Sequence, residues 1–474
     1  MILKPRQFTL AATSLGSSLA FIDATALTVA LPTIQSQLHL GLHGIQWVFL
    51  SYSIALAALY LIGGAIGDRY GHRKVFALGV VGFALASALV GVSPNSAWMI
   101  ASRVLQGIFG ALVTTNSLAW LRKAYGDSAG KAVGLWTSLT SISIVIAPPL
   151  GGALTQWLSW RWIFFINLPL AALVLYWSAQ ATKDKPERKN AKLDILGCVL
   201  IATALSFIVY YLVQGAETGF GHLSWALLAG LAAFAGFIVT ELRARQPMLP
   251  LNLFKIRNFS LVNLATFFVY GALNSLLFFS LYLQFLGLSP LAASLFYIPT
   301  SLVMILLAPY FGGLADRIGP KLLLITGPGL IGIGTLFLTL ITTKANVWLW
   351  GGVGIAFFSL GLAIMVAPIT TLALKSVPAS FSGLASGANN TMSRLGGLIA
   401  VAVVGMIISL VFFGDVADKS AVPLDLHQTE PALRSASAKA FRYGTYMVAG
   451  LAFLGAAISL GLSNLKKAKT SQVK

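Results

Sequence analysis

Long apolar runs fill most of this sequence, and each has the length that a helix needs to cross a membrane. A membrane-spanning helix requires about 20 mostly apolar residues. The 474-residue chain contains fourteen such runs, at 8–31, 46–66, 74–93, 98–119, 130–156, 162–180, 194–213, 224–242, 258–286, 291–314, 321–341, 346–371, 383–413 and 440–463. The first run is too long for the apolar part of a cleavable signal and contains Asp23, so we predict an uncleaved first span. The sequence therefore predicts an all-α integral membrane protein with 14 transmembrane helices.

Composition argues against several other classes of protein. Only 9% of the residues are charged and 57% are hydrophobic, whereas roughly a quarter of the residues in a soluble domain are charged. The single cysteine, Cys198, cannot form an intramolecular disulfide. His39 and His43 are the one histidine pair with helical metal-ligand spacing, and they lie in a short polar loop. We predict no metal site and no cofactor, and the lack of a P-loop disfavours an enzyme or an ATP-driven pump.

Basic residues concentrate on one side of the predicted membrane. The chain has 32 lysines and arginines against 13 acids, a net charge of +19. With the N-terminus inside, 24 of the 32 fall in inside segments and Arg103 and Arg394 lie within spans. The six outside are Arg161, Lys344, Lys419, Arg434, Lys439 and Arg442. Since cytoplasmic loops accumulate lysine and arginine, we predict a multi-pass plasma-membrane protein with both termini cytoplasmic. These charges face an anionic leaflet, so the predicted partners include membrane lipids and no nucleic acid.

A repeated loop divides the chain into two halves. The sequence GAIGDRYGHRK at 64–74 follows the second span, and GGLADRIGPK at 312–321 follows the tenth. We therefore predict an N-terminal six-helix bundle at 1–180 and a linker with two inserted transmembrane helices at 181–257. A C-terminal six-helix bundle at 258–464 and a cytoplasmic tail at 465–474 complete the predicted chain. Internal repeats of this kind are typical of alternating-access transporters.

The first of these loops resembles the loop between helices two and three of the major facilitator superfamily. Five other segments resemble the fourteen-helix drug:proton antiporter family: FIDATALTVALP at 21–32, SRVLQG at 102–107, WRWIFFINLP at 160–169, YLQFLGLSP at 282–290 and GANNTMSRLGG at 387–397. The resemblance covers nearly the whole chain. It implies a major facilitator fold, with a single chain as the usual unit, and proton-coupled export of hydrophobic or amphipathic compounds (multidrug efflux) by alternating access. The partners would be a small-molecule substrate and protons.

Two other functions stay open at this stage. The chain could export one specific metabolite, lipid or peptide without multidrug breadth, which a substrate panel would reveal. A membrane receptor or scaffold built on the same fold is the third possibility, although the sequence contains no sizeable soluble segment.

Asp23 is the candidate proton-coupling residue. It is the one acid well inside a span, and an acid inside hydrocarbon is costly enough to suggest a function. Counting 1.5 Å per residue, Asp23 and Arg103 lie at similar depths in their spans, so we predict that they pair. The family motifs suggest the same roles for both residues. The alternatives are a cation-sensing site and a permanent structural ion pair.

The repeated loops are the candidate conformational latch. Glycine permits a tight turn there, and an aspartate can cap a neighbouring helix or pair with a base. By resemblance, the first loop latches the two halves in the outward-open state, whereas simple positive-inside topology would explain only its basic residues. The latch residues are Gly64, Gly67, Asp68, Arg69, Gly71, Arg73 and Lys74, with Asp316, Arg317 and Lys321 in the second loop.

The fifth span contains SIVIAPPLGG at 143–152, which resembles the antiporter motif G-x-x-x-G-P-x-x-G-G. Pro148, Pro149, Gly151 and Gly152 carry the resemblance, while Ser143 and Ala147 replace two glycines of the pattern, and Pro149 is additional. Prolines bend a helix and small residues permit close packing, so we predict a seal or hinge, although such kinks also occur for packing alone.

Substrate contacts are the least constrained prediction. Polar and aromatic side chains within spans suit an amphipathic cavity, although aromatic residues in membrane helices often serve only packing. For Arg394, cavity-lining and structural roles are equally compatible with the sequence. The candidates are Asn116, Trp120, Trp136, Tyr270, Asn274, Phe278, Tyr282, Gln284 and Arg394.

Overall fold

Fourteen long helices make up the computed structural model, which describes residues 4–184, 186, 194–244, 249, 251–378 and 381–463. We number the helices as spans 1 to 14. They are Pro5–Gln37, Leu42–Tyr70, His72–Gly91, Ser96–Tyr125, Ala129–Trp157, Trp162–Gln180, Ile195–Thr218, Gly221–Arg243, Arg257–Phe285, Pro290–Ile318, Pro320–Leu338, Lys344–Lys375, Ser382–Asp415 and Pro431–Leu460.

The predicted fold class is confirmed. Thirteen stretches of the described chain are long and apolar enough to cross a membrane. One of them, the 62-residue stretch Ser96–Trp157, contains two helices separated by the short turn Gly126–Ser128. The described residues therefore form fourteen spans and contain no β-strand.

Several helices extend beyond the apolar runs that predict them. Span 14 begins at Pro431, nine residues before its predicted start, and its first turns carry Arg434 and Lys439. Lys439 pairs with Asp415 at the end of span 13, at 2.8 Å. Hydropathy detects the part of a helix that lies in hydrocarbon, so polar helical ends outside the membrane are missed.

The helices pack in the order that the repeat suggests. Spans 1 to 6 contact one another, and so do spans 9 to 14. Span 7 packs on span 2 and span 13, and span 8 packs on span 7. The inserted pair therefore lies against a seam where the two halves meet. The exact division at residues 180, 257 and 464 stays a prediction, and the predicted tail lies outside the described residues.

Contacts between the halves close one end of the bundle. We call this the outer end, after the predicted orientation; it carries the loops at 38–41, 158–161, 286–289 and 416–430. Amide side chains of Gln46 and Gln284 donate to the carbonyl oxygens of Val401 and Val29, at 3.1 and 2.8 Å. Gln156 accepts from the Leu291 N–H at 3.3 Å. These bonds join residues that the sequence separates by more than a hundred positions, and they fix the halves together at the outer end.

The inner end has a different character. Thr137 and Ser138 of span 5, Thr370 of span 12 and Asn390 of span 13 are exposed although they lie within membrane-length helices. Thr137, Ser138 and Thr370 bond to carbonyls of their own helices. The hydrogen bonds between the halves therefore close the outer end, while these polar side chains remain accessible toward the inner end.

Candidate transport site

Asp23 and Arg103 meet in the interior of the N-terminal half. Asp23 lies on span 1 and Arg103 on span 4, and both side chains are 0% exposed. An Arg103 terminal nitrogen donates to Asp23 Oδ2. The Arg103 Nε–H also donates to the carbonyl oxygen of Val48 in span 2, at 3.2 Å. The depth count from the sequence therefore identifies two residues that contact each other, and neither charge is left uncompensated.

Two amides extend this pair into a network. Gln106 donates to Asp23 Oδ1 and to Ser87 Oγ, both at 2.7 Å, and accepts from Arg103 at 2.6 Å. Asn167 of span 6 donates to Ser87 Oγ at 3.0 Å and lies 3.4 Å from Asp23 Oδ1. Spans 1, 3, 4 and 6 thus share one network of buried hydrogen bonds. Removing one member would leave buried polar groups of the others without partners, which costs free energy.

An aromatic ring covers the arginine. The Arg103 guanidinium carbon lies 4.3 Å from the centroid of the Tyr52 ring in span 2. A Cβ added at Gly107 would overlap the Tyr52 backbone carbonyl, so glycine is needed for this close approach of spans 2 and 4. A cation over an aromatic face is stabilised further when it is desolvated. The arrangement holds Arg103 in one position beside the carboxylate.

Sequence reasoning missed the roles of Gln106, Asn167, Ser87 and Tyr52. Gln106 lies in SRVLQG and Asn167 in WRWIFFINLP, segments used above only to establish a resemblance. An amide side chain within an apolar span could have identified Gln106 and Asn167 as candidates, since a buried amide needs hydrogen-bond partners.

The first repeated loop is supported from below by span 4. Gly71 adopts φ +94°, a conformation that favours glycine. Asp68 pairs with His72 Nε2 at 3.2 Å, and His72 Nδ1 bonds to Asn116 Oδ1 at 2.9 Å. A Cβ at Gly67 would overlap both Asn116 and His72. The loop therefore rests on a buried polar chain that ends at Asn116.

Arg73 and Asp184 attach the same loop to its neighbours. The Arg73 guanidinium donates to the carbonyl oxygens of Ser178 and Ala179 at the end of span 6, at 2.9 and 3.0 Å. Asp184 accepts from the Arg73 backbone N–H at 3.4 Å and pairs with Lys123 at 2.7 Å. These contacts lie within residues 1–184, so they brace the loop to its own half. A latch between the halves stays a prediction.

The remaining loop residues are more exposed. Arg69 lies over the ring of the adjacent Tyr70, at 5.3 Å from its centroid. Gly64 is half-buried, and a Cβ there would meet open space. Lys74 is exposed and borders, with Arg73 and Lys183, a surface recess beside span 6. This basic surface is at the inner end, where positive charge is expected.

The second loop repeats the turn with fewer contacts. Gly319 has φ +88°, and Asp316 pairs with Lys375 of span 12 at 2.8 Å. Both partners of this ion pair are largely exposed, with 62% and 58% of their side-chain surface accessible. Arg317 is also exposed and Lys321 is half-buried.

The proline and glycine segment of span 5 lies at the closed outer end. Pro148 is buried and Pro149 is half-buried, and both are inside the helix Ala129–Trp157. A Cβ at Gly151 would lie 2.8 Å from Ala26 of span 1, and one at Gly152 would lie 2.8 Å from Ser294 Oγ of span 10. The two glycines thus permit span 5 to pack on its own half and on the other half together.

Several residues predicted to line a cavity are instead packed in this conformation. Asn116 is fully buried beneath the first loop, and Trp120 is 1% exposed against Phe76, with its ring N–H donating to Thr182 O. The cavity prediction is wrong for these two residues in this conformation. A polar or aromatic side chain within a span can find its hydrogen-bond and packing partners on neighbouring helices instead of lining a cavity. Trp136 is half-buried and donates to Ser117 Oγ at 3.2 Å.

The predicted cavity residues of span 9 fall into two groups. Phe278, Tyr282 and Gln284 are buried at the outer end. The Tyr282 ring stacks on the Phe441 ring with 3.8 Å between their centroids, and the Tyr282 hydroxyl donates to the carbonyl oxygen of Ile341. These side chains therefore take part in packing the closed outer end. Tyr270 and Asn274 lie deeper and are half-buried, with Asn274 donating to the Tyr270 carbonyl at 2.9 Å.

Twelve membrane-length helices in two packed sets of six, two inserted helices and an ion pair buried inside the first set define a multi-pass integral membrane protein. The sequence profile of the Major Facilitator Superfamily matches residues 13–401. The chain therefore belongs to the Major Facilitator Superfamily.

Three relatives show where in this family the chain lies. The tetracenomycin C resistance and export protein of Streptomyces glaucescens is 33% identical, over 85% of this chain and 76% of that protein. The multidrug resistance protein Stp of Mycobacterium tuberculosis (strain CDC 1551 / Oshkosh) is also 33% identical, over 85% and 75%. The methylenomycin A resistance protein of Bacillus subtilis (strain 168) is 32% identical, over 84% and 86%.

Solved structures share the fold at low sequence identity. A bacterial homologue of the human lysosomal transporter Spinster, in an inward-facing and unoccupied conformation, superposes with a TM-score of 0.68 at 18% identity, covering 97% of this chain and 98% of that chain. A mutant of the nucleoside transporter NupG superposes with a TM-score of 0.65 at 13% identity, covering 96% and 100%. These similarities establish the fold alone.

Proposed function

We propose that the protein is a proton-coupled antiporter that exports hydrophobic or amphipathic compounds by alternating access. The observation that carries the proposal is the Asp23 network: a fully buried carboxylate whose direct partners lie on two other spans, 4 and 6. A carboxylate that gains or loses a partner when helices move will bind and release a proton during the cycle. Export is supported by the name of the Streptomyces relative, a resistance and export protein, and breadth of substrates by that of the Mycobacterium relative, a multidrug resistance protein.

The closed outer end is consistent with the substrate-loading step of this cycle. In the described conformation substrate would enter from the inner end, where polar side chains are exposed. Outward opening must then break the hydrogen bonds from Gln46 and Gln284 between the halves. Protonation of Asp23 would weaken its ion pair with Arg103 and allow spans 1 and 4 to shift, which links proton binding to this movement.

Location in the plasma membrane, with both termini in the cytoplasm, and function as a single chain belong to the same proposal. The charge distribution supports this orientation. Lys419 and Lys183 are replaced one at a time by cysteine in a Cys198→Ser background, and whole cells are treated with a membrane-impermeant maleimide. The reagent should label the cysteine at 419, which lies outside, and not the one at 183, which lies in the cytoplasm. Labelling at Lys183→Cys but not at Lys419→Cys would contradict the orientation.

The first experiment is simultaneous measurement of dye efflux and proton movement in vesicles. The variant Asp23→Asn should retain substrate binding and lose proton-driven efflux, because the amide cannot carry a proton. Asp418→Asn removes an exposed carboxylate in the outer loop and serves as the matched control. Efflux by Asp23→Asn at the normal proton stoichiometry would make Asp23 a structural residue and refute the mechanism.

A folding control is needed because Asp23→Asn leaves the Arg103 charge buried and unpaired, which costs about 3–5 kcal/mol. The double variant Asp23→Asn with Arg103→Gln removes both charges. We expect this variant to fold and bind substrate while remaining uncoupled from the proton gradient.

A further inference from the structure

Arg394 is a membrane-embedded charge whose described partner is an aromatic ring. It lies on span 13, about 18 Å from the inner end of that helix at 1.5 Å per residue. Its guanidinium carbon is 4.6 Å from the centroid of the Tyr60 ring of span 2. Tyr60 is about 15 Å from the inner end of its own helix. The two residues therefore meet across the seam between the N-terminal and C-terminal halves.

No acidic residue within the described ranges balances the charge of Arg394. Asp23 is the one acid in the sequence that lies well inside a span, and Arg103 already neutralises it. Among the residues that the structure describes, no carboxylate pairs with Arg394 and no acceptor takes its N–H donors. A guanidinium has five N–H donors in a fork that fits a carboxylate. Since an arginine at this depth needs a partner or water, Arg394 has unused capacity to bind an anion.

An apolar cavity of about 220 Å³ lies within one helical turn of this pair, although neither Arg394 nor Tyr60 lines it. Ala57, one helical turn from Tyr60, and Thr391, one turn from Arg394, both line it. Phe237 and Phe254 line the side formed by the inserted helices and the segment that follows them. Apart from Thr391, the lining residues that belong to the described part of the chain are apolar. A positive charge therefore stands next to a cavity suited to a hydrocarbon or aromatic tail.

We propose that Arg394, positioned by the ring of Tyr60, binds the acidic group of the transported substrate, and that the neighbouring cavity holds its apolar part. The substrates would then include lipophilic carboxylic acids. The carboxylate accepts hydrogen bonds from Arg394, while Tyr60 holds the guanidinium plane in place. The same charge disfavours cationic amphiphiles. This inference rests on the proposed export function and specifies the substrate class for it.

The test is equilibrium binding to the purified full-length protein in a non-ionic detergent. The probe is dansyl-labelled undecanoic acid, compared with its methyl ester and with a trimethylammonium analogue of equal chain length. Wild type should bind the acid most tightly and the cation most weakly. Arg394→Gln should lower the affinity for the acid by about tenfold to a hundredfold, which corresponds to loss of a charge-assisted hydrogen bond. Its affinity for the ester should stay unchanged.

Further variants separate charge from shape. Arg394→Lys should lose affinity by only a few-fold, because a charge remains without the planar fork. Tyr60→Phe keeps the ring face and should bind like wild type, whereas Tyr60→Leu should weaken binding of the acid. Arg243→Gln removes an exposed arginine at the inner end of span 8 and is the matched control for a loss of positive charge.

Three results would overturn the inference. Unchanged affinity of Arg394→Gln for the acid would show that Arg394 does not bind it. An equal loss for acid and ester would show a structural role. Displacement of the probe by phosphatidylglycerol at similar concentration would assign the site to a membrane lipid. Binding is measured without a proton gradient, so failure of the coupling role of Asp23 would leave these results intact.

Discussion

The two repeated loops have the same backbone turn and different support. Gly71 and Gly319 both have positive φ, at +94° and +88°, and an aspartate precedes each by three residues. Beneath the first loop, His72 and Asn116 form a buried polar chain. At the second loop, Pro320 replaces His72, and Asp316 makes an exposed ion pair with Lys375 instead.

The difference between the loops is clearest one residue before each aspartate. Gly67 has no room for a Cβ, since Asn116 and His72 occupy that space. The corresponding residue of the second loop is Ala315, whose Cβ is accommodated. A sequence repeat therefore preserves the turn, which depends on the backbone, while the two halves have diverged in the packing below it. The first loop is the more constrained of the two.

The largest expected effect is that of Gly67→Ala. The added methyl group would overlap Asn116, which cannot move aside because it donates to the carbonyl oxygens of Gly63 and Leu112 at 3.0 and 2.9 Å. We expect a loss of about 3 kcal/mol in the free energy of unfolding, at the upper end for overpacking. Ala315→Gly is the matched change and should cost about 0.5–1 kcal/mol. Thermal unfolding of both purified variants measures the contrast, and equal losses would contradict it.

A smaller effect is expected from removing the arginine that braces the first loop. Arg73→Gln loses two hydrogen bonds to the end of span 6, so we expect about 2 kcal/mol of destabilisation. Lys321→Gln, at the corresponding position of the second loop, should lie within about 0.5 kcal/mol of wild type. Denaturation of the two purified variants in parallel measures their free energies of unfolding. A larger loss of stability for Lys321→Gln than for Arg73→Gln would contradict the prediction.

A smaller effect than that of Arg73→Gln is predicted for Asp316→Asn. Its ion pair with Lys375 is exposed on both sides, and exposed pairs contribute less than about 1 kcal/mol. The difference from wild type should disappear at high ionic strength, since salt screens exposed charges. A loss that persists in about 1 M salt would indicate support for the second loop beyond this ion pair.

The number and position of the spans could be predicted from the sequence because hydrocarbon imposes a length and a polarity on each span. The fourteen apolar runs all correspond to helices of the structure. The pairing of Asp23 with Arg103 followed from depth alone, since two opposite charges at similar depth in hydrocarbon are strongly drawn together. The positions of helix ends outside the hydrocarbon were predicted less accurately, since span 14 begins nine residues before its predicted start.

The packing partners of individual side chains could not be predicted from the sequence. Hydropathy does not distinguish a span face that meets a cavity from one that meets another helix. Trp120 was therefore predicted for a cavity, although it packs against Phe76. Gln106 and Asn167 were overlooked because their partners lie on other spans, and span-to-span contacts depend on rotations that one sequence does not specify.

The unbalanced charge of Arg394 has a consequence for the energetics of transport. If one proton enters as one monovalent anion leaves, each cycle moves two positive charges inward. A membrane potential of 100 mV contributes about 2.3 kcal/mol per elementary charge, which is about 4.6 kcal/mol per cycle and sustains a concentration ratio above roughly a thousandfold. Exchange of one proton for one monovalent cation would be electrically silent. An acid-selective antiporter would therefore continue to export when the pH gradient collapses and only the voltage remains.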